Sequence, residues 1–530
     1  MKNLNELTDY NTNPREISLL ILSEYFRRKY SLKKIIEKYF KEYKLSSVDK
    51  RFIYNIVKGT VRNYLRIDFC ISLFSNKKIE NIDFPVLNIL RMGIYQLAFM
   101  DRVPSYSAVD ESVKIAKKSI SLYSSKFVNA ILRKVSSIPD INTYIEKRLK
   151  NIKKDEIKKI SIWYSFPKWL IEYWIENYGN KKTVLICKSL NENPHVYLRF
   201  NKNKITREEL IKKIGIKLRN IRLDSLKIKT MPGSAVGNVR VESDNYTKDY
   251  ILSEDVLEDS IEVLSIRDIL ETDIYRKGLV SVQDLSSQIA VKYFLKPEKG
   301  EKVLDVCAAP GGKTTYIAQL MENEGEIISV DISKGRLRLL EENLERLNIK
   351  NVRIVAADAA KPDFLNIYKE ILSNENLEHP GEVFDGNNNS SKSTVGLFDK
   401  ILVDAPCSAF GTISKNPDVK YNKKKEDLIR LSDISCRILS NCDKYLKAGG
   451  KVVFYTCTIS PIENQMVIEK FIERFKGKYE LEILNLYEDL KPILKYKEEA
   501  ERLKMISFFE IMPYFFNSEG GFICSLIKKS

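Results

Sequence analysis

Val303-Leu-Asp-Val-Cys-Ala-Ala-Pro-Gly-Gly-Lys-Thr314 joins an apolar run to a Pro310-Gly311-Gly312 turn and then to a run of helix formers. The spacing predicts a strand over 303–306, a tight turn, and a helix from Lys313 to about Glu322. A strand, a glycine turn and a helix N-terminus form the layout by which α/β proteins bring backbone N–H groups close to a ligand. Two ligands compete for it. One is an adenosyl cofactor. The other is a nucleoside triphosphate, because Gly312-Lys313-Thr314 copies the end of a Walker A loop.

Outward from this stretch, strands and helices alternate from about residue 278 to the end. Strand-like runs cover 327–331, 352–356, 398–404 and 451–455, and helical runs cover 334–347, 424–446 and 461–474. Repeated β-α units imply a parallel, doubly wound sheet. Runs at 505–511 and 521–527, split by Asn517-Ser-Glu-Gly-Gly521, are expected to form an antiparallel hairpin at one edge. Asn374 to Gly396, with Asn387-Asn-Asn-Ser-Ser-Lys-Ser, cannot bury much apolar surface and reads as a flexible surface insertion.

Upstream the pattern changes. Residues 1–140 show helical apolar spacing, as in Ile17, Leu20, Ile21 and Tyr25 and again in Ile53, Ile56, Val57 and Val61. Ser46 or Ser47 is the expected cap of one helix, and further helices are expected over 84–101, 106–118 and 122–136. With basic residues such as Arg15, Lys58, Arg62 and Arg133 interspersed, this part reads as a helical binding module, with a structural cap as the bland alternative. Residues 141–165 are charged and read as a linker or connecting helix, and 166–277 as a small α+β domain.

The chain has 530 residues, enough for two to four domains. Lys and Arg number 88 against 71 Asp and Glu, a net charge of +17. That balance favours a polyanionic partner, most simply nucleic acid, although a lysine-rich solvated surface accounts for it equally well. No run approaches the ~18 apolar residues of a membrane span, and the N-terminus has no secretory h-region. The eight cysteines (70, 187, 307, 407, 436, 442, 457 and 524) form no CxxC pair, and with only His195 and His379 beside them no metal site is expected. A reducing, cytoplasmic setting follows.

Polar residues close the expected strands: Asp305, Asp331, Asp358, Asp404 and Thr456-Cys457. One such Asp is ordinarily a helix cap. Five at the carboxyl ends of parallel strands converge on the crevice where open α/β sheets bind ligands. Asp331 lies 19 residues after Gly312, which suits a carboxylate on ribose hydroxyls, and Asp358 suits an adenine amino group. The P-loop reading draws on Gly312-Lys313-Thr314 and on Ile401-Leu-Val-Asp404, but position 307 is Cys where Walker A needs Gly.

Asp404-Ala-Pro-Cys407-Ser-Ala-Phe-Gly-Thr412 and Tyr455-Thr-Cys457-Thr-Ile-Ser-Pro461 place two cysteines after successive strands. A lone buried Cys is usually structural, as expected for Cys436 and Cys442. Two at this position suit covalent catalysis on a pyrimidine, a thiolate adding to C6 so that C5 becomes nucleophilic. Spacing does not say which cysteine attacks.

These motifs, with Val282-Gln-Asp-Leu-Ser-Ser-Gln288 and the ENQ after Pro461, resemble RNA cytosine-5 methyltransferases of the Nop/Sun group. The N-terminal stretches NPREISLLIL, DKRFIYNIVKGTVRNY, LRMGIYQL and VPSYSAVDESVKIAKK, followed by FVNAILRKV, resemble the NusB-type RNA-binding fold. Together they resemble the RsmB/Sun type of bacterial 16S rRNA methyltransferase. The resemblance implies a Rossmann-like class I methyltransferase domain over 278–530, a NusB-like head over 1–140 and an α+β RNA-contact domain between them. It implies S-adenosyl-L-methionine as cofactor, lined by Cys307, Ala308, Ala309, Pro310, Gly311, Gly312 and Lys313, with Asp331 on ribose and Asp358 on adenine. Cys457 would attack C6, Cys407 would assist release, and Asp404 would hold the base near the cofactor. A cytosine of 16S rRNA is the implied substrate, in a monomer with no metal and no membrane. Transfer RNA as substrate, or a non-catalytic RNA-binding assembly factor, are the alternatives. The chain departs from the group in having Tyr421 where Trp is common and Pro513-Tyr-Phe where His is usual. Lys420, Lys423, Lys424 and Lys425 are candidate phosphate contacts, or a solvated loop.

Overall fold

The computed structural model describes residues 13–28, 31–152, 155–221, 227–229, 240–242, 257–263, 267–270, 272–366, 383–385, 396–495 and 497–530. The chain forms two compact units, one of residues 1–192 with 412–424, the other of residues 193–411 with 425–530.

The first unit is helical. It comprises α1 (Pro14–Arg28), α2 (Leu32–Glu42), α3 (Ser47–Arg62), α4 (Tyr64–Phe74), α5 (Phe84–Phe99), α6 (Ser105–Ser119), α7 (Leu122–Ser136), α8 (Ile141–Lys150), α9 (Glu156–Tyr164) and α10 (Lys168–Asn191). Ser46 caps α3, its hydroxyl accepting from Asp49 N. The most apolar of these helices, α5, packs against α1, α3, α4, α6, α7 and α8, as a helix apolar on all sides must. Helices α8 to α10 carry the unit past residues 140 and 165, where the sequence suggests boundaries. The reason is burial: Ile145 and Leu149 of α8 belong to the helical core, and Ile162 and Trp163 of α9 pack against it.

Thr412–Lys424 also belongs to this unit. Asp418 Oδ2 accepts from Leu32 N at 3.1 Å and so caps α2, while the N-cap residue Ser31 makes no side-chain cap bond. Arg62 donates to Ser414 O at 2.6 Å. Lys420 is fully buried and donates to Arg62 O at 2.8 Å and Asn191 Oδ1 at 3.2 Å. Burial, with Arg62 close by, holds its pKa well below the usual lysine value. The expected phosphate contact at Lys420 is therefore corrected: its ammonium anchors the helical unit from inside. Lys424 and Lys425 are exposed. Tyr421 packs against the helical core and donates to Ser165 O at 2.6 Å.

In the second unit, β1 (Val196–Phe200) pairs antiparallel with β4 (Ser260–Val263) and β5 (Val280–Val282). Helix α11 (Arg207–Ile221) follows β1, and Leu210 and Ile214 join the small core beneath this sheet. The short strands β2 (Lys227–Lys229) and β3 (Arg240–Glu242) form a separate pair. Most of the stretch 241–250, hard to assign from sequence, lies outside the described residues.

The main sheet runs β12-β14-β11-β10-β6-β7-β8-β9, with β13 also on β14. Its parallel part is β6 (Lys302–Val306), β7 (Glu326–Asp331), β8 (Val352–Ala356), β9 (Val383–Asp385), β10 (Phe398–Asp404) and β11 (Leu446–Thr456). One expectation needs correction. Val383–Asp385, inside the expected surface insertion, adds a parallel strand to β8; the rest of 374–395 lies outside the described residues. The two C-terminal strands pair antiparallel, as the sequence implies, and the last of them is also joined to the parallel part of the sheet. Strand β14 (Gly521–Lys528) is antiparallel to β11, and its other side takes both β12 (Tyr479–Leu481) and β13 (Phe508–Ile511). Its burial pattern explains this, because Gly521 to Leu526 are all buried.

Among the described residues no helix is long and apolar enough to cross a membrane. Tyr421→Phe should destabilise the chain by about 1–3 kcal/mol in urea unfolding, because Ser165 O loses its donor in a partly buried setting. An unchanged midpoint would show that Tyr421 contributes packing alone.

Candidate active site

Strand order places β6 between β7 and β10, so the connections leaving β6 and β10 depart on opposite sides of a crevice, the switch point of a doubly wound sheet. Register aligns the strand ends: Val306 lies opposite Val330 and Val403, Asp331 opposite Ala356, and Asp404 opposite Tyr455. Residues 307–313, 331, 358, 404, 407 and 457 therefore leave one edge of one sheet.

The first loop is shaped by backbone. Cys307 has φ 64 and Gly311 φ 97, both left-handed. At Gly311 only glycine fits, since a Cβ would lie 2.3 Å from Leu340 Cδ1. Ala309 N donates to Asp331 Oδ2 at 3.1 Å and Ser333 N to Oδ1 at 2.9 Å. Asp331 is nearly buried and so ties the first loop to the second. Arg336 approaches the same carboxylate at 3.6 Å and donates to Ala309 O. Beside Asp331, Ile332 is 70% exposed, an apolar face that sequence reasoning missed. Asp358 is half-buried and accepts from Ala360 N at 3.0 Å. Ala357 N donates to Asp331 O at 3.2 Å, joining this third loop to the second.

Asp305 lies inside β6, before the strand's end. It is fully buried, and Thr314 Oγ1 donates to its Oδ2 at 2.6 Å. Burial pushes its carboxyl up to about 7 despite that bond. It fastens the helix Gly312–Leu320 to β6.

An adenosyl cofactor fits these groups. Gln283 Nε2 is buried without a partner and lies 4.0 Å from the Cβ position of Gly312, at that helix's N-terminus. Exposed Ile332, Asp331 and Asp358 follow along the same edge. Arg199, fully buried on β1, fixes the other side of this turn. It donates to Gln283 Oε1 at 2.8 Å and to Thr315 Oγ1 at 3.1 Å. Neither Arg199 nor Gln283 was singled out by motif spacing; the only signal was Gln283 inside the VQD stretch.

On the far side of the crevice, Lys313 Nζ donates to Asp404 Oδ2 at 2.8 Å and lies 4.0 Å over the Tyr455 ring. Burial alone would lower the Lys313 pKa, but the Asp404 charge and hydrogen bond outweigh it and keep the ammonium charged. Tyr455 OH is within 2.9 Å of Ser286 Oγ. The thiols of Cys407 and Cys457, fifty residues apart in sequence, are 3.4 Å apart. The hydrogen bond to Cys407 raises the Cys457 pKa well above the usual thiol value; burial and the charges of Cys407, Asp404 and Glu519 add to it. Cys307 is raised too, chiefly by burial. Cys70, Cys187, Cys442 and Cys524 are buried and Cys436 half-buried. No cluster of three or more His, Cys, Asp or Glu suited to a metal occurs among the described residues.

Comparison with known proteins decides the family. A model of the 16S rRNA methyltransferases RsmB/F matches residues 292–527, a NusB family model residues 12–137, and an RsmF/B-like ferredoxin-like domain residues 166–219. The "Probable ribosomal RNA small subunit methyltransferase B" of Bacillus subtilis is 30% identical over 523 residues, covering 98% of this chain and 99% of its own. The chain belongs to the RsmB/F family. The "Ribosomal RNA small subunit methyltransferase B" of Vibrio cholerae is 26% identical over 426 residues, 80% of this chain and 82% of its own. The crystal structure of PH0851 shares the fold at TM-score 0.66 and 21% identity, covering 98% of this chain and 99% of its own. The RsmB/F chain is thus an S-adenosylmethionine-dependent methyltransferase with a NusB-like head and a Rossmann-like domain, the fold class its sequence implies.

Two outcomes follow from this geometry. Gly311→Ala should weaken S-adenosylmethionine binding at least about tenfold by calorimetry, ~1.4 kcal/mol, because the loop cannot hold its shape. Alkylation of Cys457 by iodoacetamide should be slow at pH 8 and rise about tenfold per pH unit through pH 9, since only the thiolate reacts. Cys407→Ala removes the largest cause of the raised pKa and should move that profile to lower pH.

Proposed function

We propose that this RsmB/F protein transfers a methyl group from S-adenosyl-L-methionine to C5 of one cytosine in 16S rRNA, through a covalent adduct on Cys457. The observation that carries the reading is the 3.4 Å approach of Cys407 and Cys457 beside the Lys313–Asp404 pair. One thiol can make a pyrimidine nucleophilic, but a second at contact distance has work to do only if the adduct must also be resolved.

The cofactor supplies an electrophilic methyl group. Cys457, as thiolate, adds to C6 of the cytosine, and the electron pair of the C5–C6 bond becomes available at C5. Asp404 holds the base by its N3/N4 edge, and Lys313 aims Asp404 through their hydrogen bond. Once C5 carries the methyl group, Cys407, as thiolate, takes the C5 proton and becomes a thiol; the C5–C6 double bond re-forms, the C6–S bond breaks, and Cys457 leaves as thiolate. Residues 307–313 would line the cofactor, with Asp331 suited to its ribose, Asp358 to its adenine and exposed Ile332 to an apolar face. A thiolate cannot reach C6 of a stacked base, so the target is single-stranded or in a loop. The net charge of +17 suits phosphate contact, and binding then weakens steeply with salt. The protein works as a cytoplasmic monomer.

Cys457→Ala should abolish methyl transfer to unmodified 16S rRNA and yield no covalent complex. Cys407→Ala should trap the enzyme–RNA adduct on denaturing gels. An adduct from Cys457→Ala instead would reverse the two roles, and methylation mapped to a position other than C5 would end the reading.

A further inference from the structure

The helical spacing that begins at 461 produces a helix only from Gln465 (Gln465–Arg474). Pro461-Ile-Glu-Asn464 turns back instead beneath the two cysteine loops. Glu463, 1% exposed, accepts from Ser408 N at 2.6 Å through Oε1 and from Ser408 Oγ at 2.7 Å through Oε2. Ser408 Oγ is also 2.8 Å from Thr458 Oγ1. A hydroxyl donates one proton, so with Glu463 as acceptor the order is Thr458 to Ser408 to Glu463. Asn464, fully buried, accepts from Thr456 Oγ1 at 2.6 Å and donates to Thr458 O at 3.0 Å. Gly411 N donates to Cys457 O at 3.0 Å, closing the loops on each other.

One dipeptide thus grips the neighbour of Cys407 and both neighbours of Cys457, in a network where every bond is shielded from water. Such a network specifies geometry strongly, because each unpaired group would carry its full desolvation cost.

We infer that Glu463 and Asn464 are positioning residues of the two-thiol site, Glu463 setting Cys407 against the adduct and Asn464 setting Cys457 for attack. The assignment rests on the two-cysteine mechanism above. It separates the two steps. Without Glu463, Cys407 loses its place while Cys457 keeps the support of Asn464, so attack persists and release suffers. Without Asn464 the order reverses. Glutamine at 463 keeps an acceptor for Ser408 N but meets Ser408 Oγ with a donor, so it restores part of the geometry.

The test uses the full-length chain and unmodified 16S rRNA. Adduct formation and release are timed separately by quenched single-turnover gels, with thermal unfolding as control. Glu463→Ala should form adduct and release it at least about tenfold more slowly, within the range a misplacement of ~1 Å produces. Glu463→Gln should recover part of that loss. Asn464→Ala should slow adduct formation by a similar factor and leave release unchanged. Parallel loss of both steps in Glu463→Ala, tracking stability, would overturn the assignment, as would unchanged release. Cys407→Ala, run alongside, checks the underlying mechanism: if it traps no adduct, that mechanism fails rather than the bracket. The bracket is then judged by iodoacetamide labelling of Cys407, expected to be several-fold faster in Glu463→Ala than in wild type. An unchanged labelling rate would overturn it on its own.

Discussion

The parallel pairing of β10 with β11 is the constraint on which the site depends. Asp404 lies opposite Tyr455, and Ala405 N donates to Tyr455 O at 2.9 Å, so the strands stay in step to their last residues. Cys407 and Cys457 follow that register by three and two residues. A one-residue slip would turn every side chain of a strand to the opposite face; here it would also carry one thiol out of reach of the other. The long burial of β11 between β10 and β14 is what forbids the slip, since Val452 to Thr456 are all buried.

The electrostatics of the crevice follow from the same closeness. Lys313 is the cation facing the Asp404 carboxylate and the thiols, and the Tyr455 ring beneath it shields one side. In the resting site negative charge is crowded, with Asp404, Glu519 and Cys407 all raising the cost of a Cys457 thiolate. These causes all favour the protonated thiol at Cys457. Asp305 serves as a hydrogen-bond anchor for the helix Gly312–Leu320.

Much of this was legible in the sequence, because the decisive features were local. Val303 to Thr314 carries its strand, turn and helix within one short window. The strands at 352–356 and 398–404 were bounded by turn residues that end them where the structure does. The features that escaped are long-range. Arg199 reaches the cofactor turn from another sheet, across more than a hundred residues of sequence. Glu463 and Asn464 stood inside a quoted motif, yet helical periodicity assigned them to a helix they precede. The insertion of β14 between β11 and β12 depends on which edge of β11 is open, which no spacing encodes.

The segment Thr412–Lys424 shows the same limit from the other direction. By sequence it is the tail of a cysteine motif with four lysines, and charge suggests phosphate contact. Yet Asp418 supplies the cap that Ser31 does not, Lys420 satisfies a carbonyl at the end of α3, and Tyr421 fills the helical core. Burial holds the Lys420 amine well below its usual pKa, and its two hydrogen bonds tie the segment to the helical unit. A head that ended at residue 140, or even at 192, would lose those groups and leave Leu32 N and Arg62 O without these partners. The helical unit is completed by residues that begin five positions after Cys407 in the chain.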